Sequence, residues 1–141
     1  MAQSVVVTRE YDAPAIDVFR AWTEPSIMCR WLAATVETDV RVGGRYRLEN
    51  RGDDGQVHAF AGEYLVVEHA RRLVMTFGLA DTAGSDGAVP TEPETLEISF
   101  TVIAPTSTRL TLTNRWPHTL SDDDLAGVRE GWAAWLEMLS F

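Results

Sequence analysis

The chain has 141 residues and a formal net charge of −9, with 45% hydrophobic and 23% charged residues. That length fits a single domain over residues 1–141 with a core of its own, and the acidity argues against nucleic acid, whose binding needs a basic footprint. No apolar run approaches the roughly 18 residues of a membrane span. The amino terminus lacks a basic stretch and cleavage site, and the lone Cys29 cannot form an internal disulfide, so a cytoplasmic protein is expected. All 12 basic residues are arginine, which fits a GC-rich bacterial coding bias.

In chain order, Val5 to Tyr11 is rich in β-branched residues and predicts a first strand. Asp12-Ala13-Pro14 stops it, with Pro14 suited to a first helical turn. Ile16, Phe19 and Trp22 then share a helical face. Glu24-Pro25 opens a second short helix whose Ile27, Met28, Trp31 and Leu32 point inward. Thr35 to Val42 reads as a strand ended by Gly43-Gly44. Arg45 to Arg51 alternates with Tyr46 and Leu48 on one face, and Asp54-Gly55 marks a hairpin turn. Phe60 to Glu68 and Arg72 to Phe77 continue the meander. Gly78 to Pro93 has no apolar periodicity and predicts a loop, either a mobile hairpin tip or a functional lid. Glu94 to Ile103 alternates with Leu96, Ile98, Phe100 and Val102 inward. A turn at Ala104 to Ser107 leads into Thr108 to Trp116, where Leu110, Leu112, Asn114 and Trp116 are in phase, and Pro117 ends the run.

A long helix beginning near Ser121 closes the chain. Leu125, Val128, Trp132, Trp135 or Leu136, and Leu139 recur at steps of three and four and so lie on one face. Ser121 is a helix cap, and Asp122 to Asp124 suit the positive end of the helix dipole. This apolar face needs a partner, and the partner on offer is the sheet. The element order defines an α+β domain with antiparallel strands in a row.

Several short patterns resemble the START-like, SRPBCC superfamily, and within it the activator of heat-shock protein 90 ATPase homologue-like (Aha-type) group. They are Ala13-Pro14 with Val18-Phe19, Ala21 to Pro25, Trp31, the D-x-R-x-G-G turn of Asp39 to Gly44 with Arg45-Tyr46, Gly62 with Tyr64, Arg72-Leu73, and Gly131-Trp132 with Leu136. Members often carry a second tryptophan and a proline after the position of Trp31, where this chain has Leu32-Ala33-Ala34. The resemblance implies a helix-grip (START/Bet v-like) fold. In it a curved antiparallel sheet of roughly six or seven strands wraps the carboxy-terminal helix, with two short helices after the first strand. It also implies a hydrophobic small-molecule ligand, since members of the superfamily bind lipids, hormones or polyketide intermediates in the space between. A polyketide cyclase or dehydratase using that cavity and a chaperone-regulating module are the alternatives. Fold alone decides none of these.

Small-molecule pockets are mostly apolar with a few placed polar groups. The cavity expected between sheet and helix therefore draws on Trp22, Trp31, Tyr46, His58, Phe60, Tyr64, Met75, Phe77, Phe100, Leu112, Asn114, Trp116, Trp132 and Leu136. Asn114, His58 and the two tyrosines are the candidate orienting groups. Gly127, Gly131 and Ala134 leave room for a ligand, or else let the helix backbone approach the sheet or a second copy in a homodimer.

No nucleophile elbow, H-E-x-x-H or phosphate-loop pattern is present, so no catalytic residue is assigned. His58, His69 and His118 sit in separate elements, and neither metal nor cofactor is expected. Glu63 with His58 or Arg45 is the nearest approach to an acid–base pair, and alternation sends Glu63 and Arg45 outward. Asp39 and Arg41 read as turn-stabilising residues beside Gly43-Gly44.

Overall fold

The computed structural model describes residues 3–51, 55–80, 94–117 and 119–139. A first strand, β1 (Gln3–Tyr11), is followed by two short helices, α1 (Ala15–Arg20) and α2 (Pro25–Met28). Then come β2 (Thr35–Thr38), β3 (Arg45–Arg51), β4 (Val57–Glu68), β5 (Arg72–Thr76), β6 (Gly78–Ala80), β7 (Thr95–Ala104) and β8 (Ser107–Trp116). The chain closes with α3 (Asp122–Glu137). Several elements differ from the sequence reading: α2 ends at Met28, ahead of Trp31 and Leu32, and Val102, expected inward, is exposed on β7. The strand expected over Thr35 to Val42 ends at Thr38, because Asp39 to Gly44 folds into a turn. The segment expected to begin a loop at Gly78 instead starts as β6. Residues 81–93, the rest of that segment, lie outside the described residues, as do Asp54 and His118.

The strands form one antiparallel sheet in the order β1-β8-β7-β5-β4-β3-β2, with β6 also paired to β4. β1 and β2 are opposite edges, so α1 and α2 carry the chain from one edge to the other. α1 packs on β7 and β8, and α2 on β2. Phe19 of α1 meets Phe100 edge to face at 5.5 Å, a favourable aromatic geometry. The Thr108 hydroxyl, fully buried, donates to the carbonyl of Ala13.

Curvature has local causes. β6 takes up the β4 edge where β5 leaves it, and the register slips between Tyr64 and Val66, a bulge that bends the strand. At this bend Thr76 closes over Gly62, where a Cβ would overlap the Thr76 carbonyl oxygen. The Thr76 hydroxyl accepts from the Glu63 amide at 2.8 Å, and the Tyr46 hydroxyl donates to the Thr76 carbonyl at 2.5 Å. At the other turn Gly43 has φ +85°, open to glycine without steric cost. Gly44 is held to glycine by close approach of the Asp39 carbonyl, and Arg41 pairs with Asp39 at 2.8 Å.

α3 starts as its sequence requires. The Ser121 hydroxyl accepts from the Asp124 amide at 3.1 Å, ahead of three aspartates in the first turn. Its stripe resolves into two neighbouring ones. Leu136 is fully buried, and at this end of the helix Tyr11 of β1 donates to its carbonyl at 2.7 Å and Arg9 reaches Glu137 at 2.6 Å. Val128, Trp132 and Trp135 face a different neighbour, a cavity. Among the described residues no helix is long and apolar enough to cross a membrane.

Candidate functional site: a cavity between sheet and helix

A cavity of about 270 Å³ lies between the sheet and α3, with α2 and the segments that follow α1 and α2 closing one side. Its sheet wall consists of Tyr46, Leu48 and Asn50 from β3, Phe60 and Tyr64 from β4, Met75, Phe77, Leu96 and Asn114, with Glu94 just ahead of β7. Trp22, Met28 and Leu32 come from the helical crossover, and Val128, Gly131, Trp132 and Trp135 from α3. The spacing of the last four, at steps of three and four, puts them on one helical face.

Aromatic rings run along the wall in contact. Phe60 stacks on Phe77 at 5.0 Å, Phe77 meets Trp132 at 5.7 Å, and Trp132 meets Trp22 at 6.3 Å. Trp22 in turn packs edge to face on Trp31 at 4.9 Å. These rings supply large apolar area with restricted side-chain freedom.

The polar groups form a small connected set. Asn114, 1% exposed, accepts from the Trp132 indole N–H at 3.1 Å and donates to Glu94 Oε2 at 2.8 Å and to the Thr95 carbonyl at 3.2 Å. Tyr46 lies near enough to Glu94 and Tyr64 to feel both. Burial above all, then Tyr64 and Glu94, pushes its hydroxyl pKa well up. Burial, with Asp39, does the same to Tyr64. Asn50 accepts from the Ala34 amide and donates to the Leu32 carbonyl, fixing the chain after α2 to β3. The Trp22 indole nitrogen is enclosed with no hydrogen-bond partner among the described residues, an arrangement that costs stability.

Eight of the residues expected at the cavity meet there: Trp22, Tyr46, Phe60, Tyr64, Met75, Phe77, Asn114 and Trp132. The other six do not line it. Trp31 stands behind Trp22, its indole N–H turned to the Ala21 carbonyl at 2.8 Å. Phe100 packs on Phe19, and Leu112 lies fully buried opposite Ile98. Trp116 is buried at the end of β8 opposite Gln3. Leu136 is fully buried in the core. His58 is opposite Asn50 and exposed, past the cavity's edge.

Glu63 is paired in register with exposed Arg45, and neither lines the cavity. The residues missed are mostly ones already read as inward, such as Met28, Leu32, Leu48 and Leu96. The informative omission is Glu94. Two positions before Leu96, it shares the phase of Leu96 and Ile98, so alternation itself points it inward.

Gly127 and Gly131 settle one alternative within the chain. A Cβ at either would meet nothing within 4 Å, so the helix backbone does not approach the sheet at these positions.

A curved antiparallel sheet gripping a carboxy-terminal helix, with short helices early in the chain, is the helix-grip architecture of START-like proteins. The chain belongs to the family of activator of Hsp90 ATPase homolog 1-like proteins, whose family model matches residues 12–140. Among solved structures it is similar to protein MLL2253 from Mesorhizobium loti, at 26% identity and TM-score 0.73 over 97% of this chain and 93% of that one. It is also similar to CalU16 from Micromonospora echinospora, at 25% identity and TM-score 0.72 over 98% and 74% of the two chains. An HSP90 activator from Plasmodium falciparum, PFC0360w, shares the fold at 22% identity and TM-score 0.71, over 95% of this chain and 91% of that one. No significant match was found among curated proteins.

Proposed function

We propose that this protein binds a hydrophobic or amphipathic small molecule between its sheet and α3, as a cytoplasmic binding protein. The observation that carries the reading is the aromatic-walled cavity of about 270 Å³, close to the lower end of the roughly 300–1,000 Å³ of small-molecule sites. Binding would work by removing the ligand's apolar body from water against Phe77, Trp132 and their neighbours. About 200 Å² of such surface contributes roughly 5 kcal/mol before the costs of association. That corresponds to a dissociation constant of about 0.2 mM at best, so polar anchoring must supply useful affinity.

A second reading, a cyclase or dehydratase working in the same cavity, draws on Glu94 beside Tyr46. Tyr46 keeps its proton and donates a hydrogen bond to the Thr76 carbonyl, so proton transfer would fall to Glu94. Chaperone regulation has only family membership and the shared fold behind it.

Native mass spectrometry of protein purified from its own organism tests binding directly. A retained small molecule is the expected result. Absence of any retained species, with no added aromatic ligand quenching tryptophan fluorescence or raising the melting temperature, overturns the proposal.

A further inference from the structure

Most polar side chains in the cavity wall are already engaged. Asn114 joins Trp132 to Glu94 and Thr95, Asn50 bridges Ala34 and Leu32, and Glu94 has interactions beyond Asn114. Buried tyrosine hydroxyls and tryptophan nitrogens normally find a hydrogen-bond partner. Of the chain's three tyrosines, Tyr11 donates to the Leu136 carbonyl and Tyr46 to that of Thr76. Tyr64 is different. Its ring lies 5.5 Å from that of Tyr46, but its hydroxyl has no hydrogen-bond partner among the described residues.

Tyr64 lines the cavity and is 1% exposed. The Trp22 nitrogen, also an unengaged donor in the wall, is sealed off. The Tyr64 hydroxyl is not sealed in this way, so a ligand atom can reach it. Burial keeps the phenol protonated well beyond neutral pH, so what it offers is an O–H donor. An apolar ligand would cover that donor and leave it unpaired, whereas a carbonyl oxygen would accept from it. A ligand hydroxyl would also bring a proton of its own in need of an acceptor. The Asn114 oxygen and the Thr76 carbonyl already receive bonds from Trp132 and Tyr46.

We infer that the cavity selects a neutral carbonyl compound, a ketone or quinone on a flat apolar body, with the carbonyl oxygen on the Tyr64 hydroxyl and the body against Trp132 and Phe77. This inference rests on the reading of the cavity as a ligand site.

Three naphthalene probes test it by equilibrium dialysis near neutral pH. 2-Acetylnaphthalene carries a carbonyl, 2-isopropenylnaphthalene puts a methylene of similar shape in place of that oxygen, and 2-naphthylethanol carries a hydroxyl. The hydrocarbon leaves water more readily, so the diagnostic quantity is the ketone-to-hydrocarbon affinity ratio, compared between the wild-type protein and Tyr64→Phe. The ratio should fall by about tenfold in the variant, the worth of one hydrogen bond to a group otherwise left unpaired. The alcohol should bind more weakly than the ketone. Infrared spectra of the bound ketone give a second readout: its carbonyl stretch should lie below its position in hexane and return toward it in Tyr64→Phe. The stretch is measured on the wild-type protein, which keeps the inference testable if the variant does not fold.

An unchanged affinity ratio, or a bound carbonyl stretch at its hexane position, overturns the carbonyl inference and leaves the ligand-site reading standing. So does an alcohol that binds as tightly as the ketone. A lowered stretch that persists in Tyr64→Phe assigns the bond to another donor and also overturns the inference. Failure of all three probes to bind overturns both readings together.

Discussion

The indole N–H of Trp132 donates to the side-chain oxygen of Asn114 at 3.1 Å, joining the gripped helix to the inner face of β8. The same asparagine donates to Glu94 and Thr95, so one amide ties helix, strand and loop end together. Removing it leaves the buried Trp132 indole N–H without its acceptor, and that penalty exceeds the net worth of the bond itself. Asn114→Leu should therefore destabilise by about 2 kcal/mol, although leucine keeps asparagine's branched heavy-atom skeleton. Urea unfolding reads this as a lower midpoint at unchanged slope. With Trp132→Phe added, the two costs should sum to less than their separate values. Strict additivity would show that the bond is not formed in solution.

Gly62 provides a test of how the sheet is bent. Its missing side chain lets Thr76 close on β4, where the Thr76 carbonyl receives the Tyr46 hydroxyl. The atom that a methyl group would strike is backbone, which cannot rotate away. Gly62→Ala should cost about 3 kcal/mol or more and open the bend beside the cavity. Gly78→Ala, on the facing strand with open space around its Cβ position, serves as the control and should be far milder. Comparable losses from the two would remove the close approach as the cause of the bend.

Much of the fold was legible because it rests on local signals. β1, the meander, the β7–β8 hairpin and α3 each carry periodicity, a cap or a turn residue strong enough to locate them. The end of β2 was missed because Val40 and Val42 look like strand, while the backbone turn at Asp39 to Gly44 overrides that preference. At the cavity, periodicity gives the face a residue shares but not how far along the strand the cavity reaches. His58 shares a face with Phe60 and lies past the edge; Leu112 shares one with Asn114 and sits deeper in the core. Trp31 was misplaced for another reason: its indole had a carbonyl to satisfy, at Ala21. Glu94 was legible by phase and overlooked because a charged residue at a strand's start is normally solvated.

Tyrosines that lose water on folding should make stability fall at alkaline pH. Burial, opposed by Arg9, pushes the Tyr11 hydroxyl from 10.0 up to about 12, and Tyr46 and Tyr64 are raised as well. A raised folded-state pKa means that the unfolded chain gives up the proton first. Their contribution to stability is therefore complete below about pH 10 and declines as pH rises above it, with the Tyr11 share gone past about 12. Urea midpoints measured at about pH 8, 10 and 11.5 should hold and then drop. Tyr11→Phe should lower stability by about 1 kcal/mol near neutrality, through loss of the bond to the Leu136 carbonyl, and should flatten the alkaline decline. A variant with an unchanged alkaline slope would exclude Tyr11 from it.

The two glycines of α3 separate helix propensity from cavity filling. Gly127 and Gly131 both have open space where a Cβ would stand, but only Gly131 lines the cavity. Alanine at either site relieves the helix of glycine's backbone freedom and should stabilise by about 0.5–1 kcal/mol. Leucine should divide them. At Gly131 its side chain grows into the cavity and should abolish binding of 2-naphthylethanol; at Gly127 it should leave binding intact. Both variants are expected to fold, since neither position is packed against another part of the chain. If the glycines instead serve a contact with a second copy, both leucine variants shift the protein to monomer in size-exclusion chromatography, and their binding changes together. Loss of binding at Gly131 alone, with no change in oligomeric state, ties that glycine to the cavity.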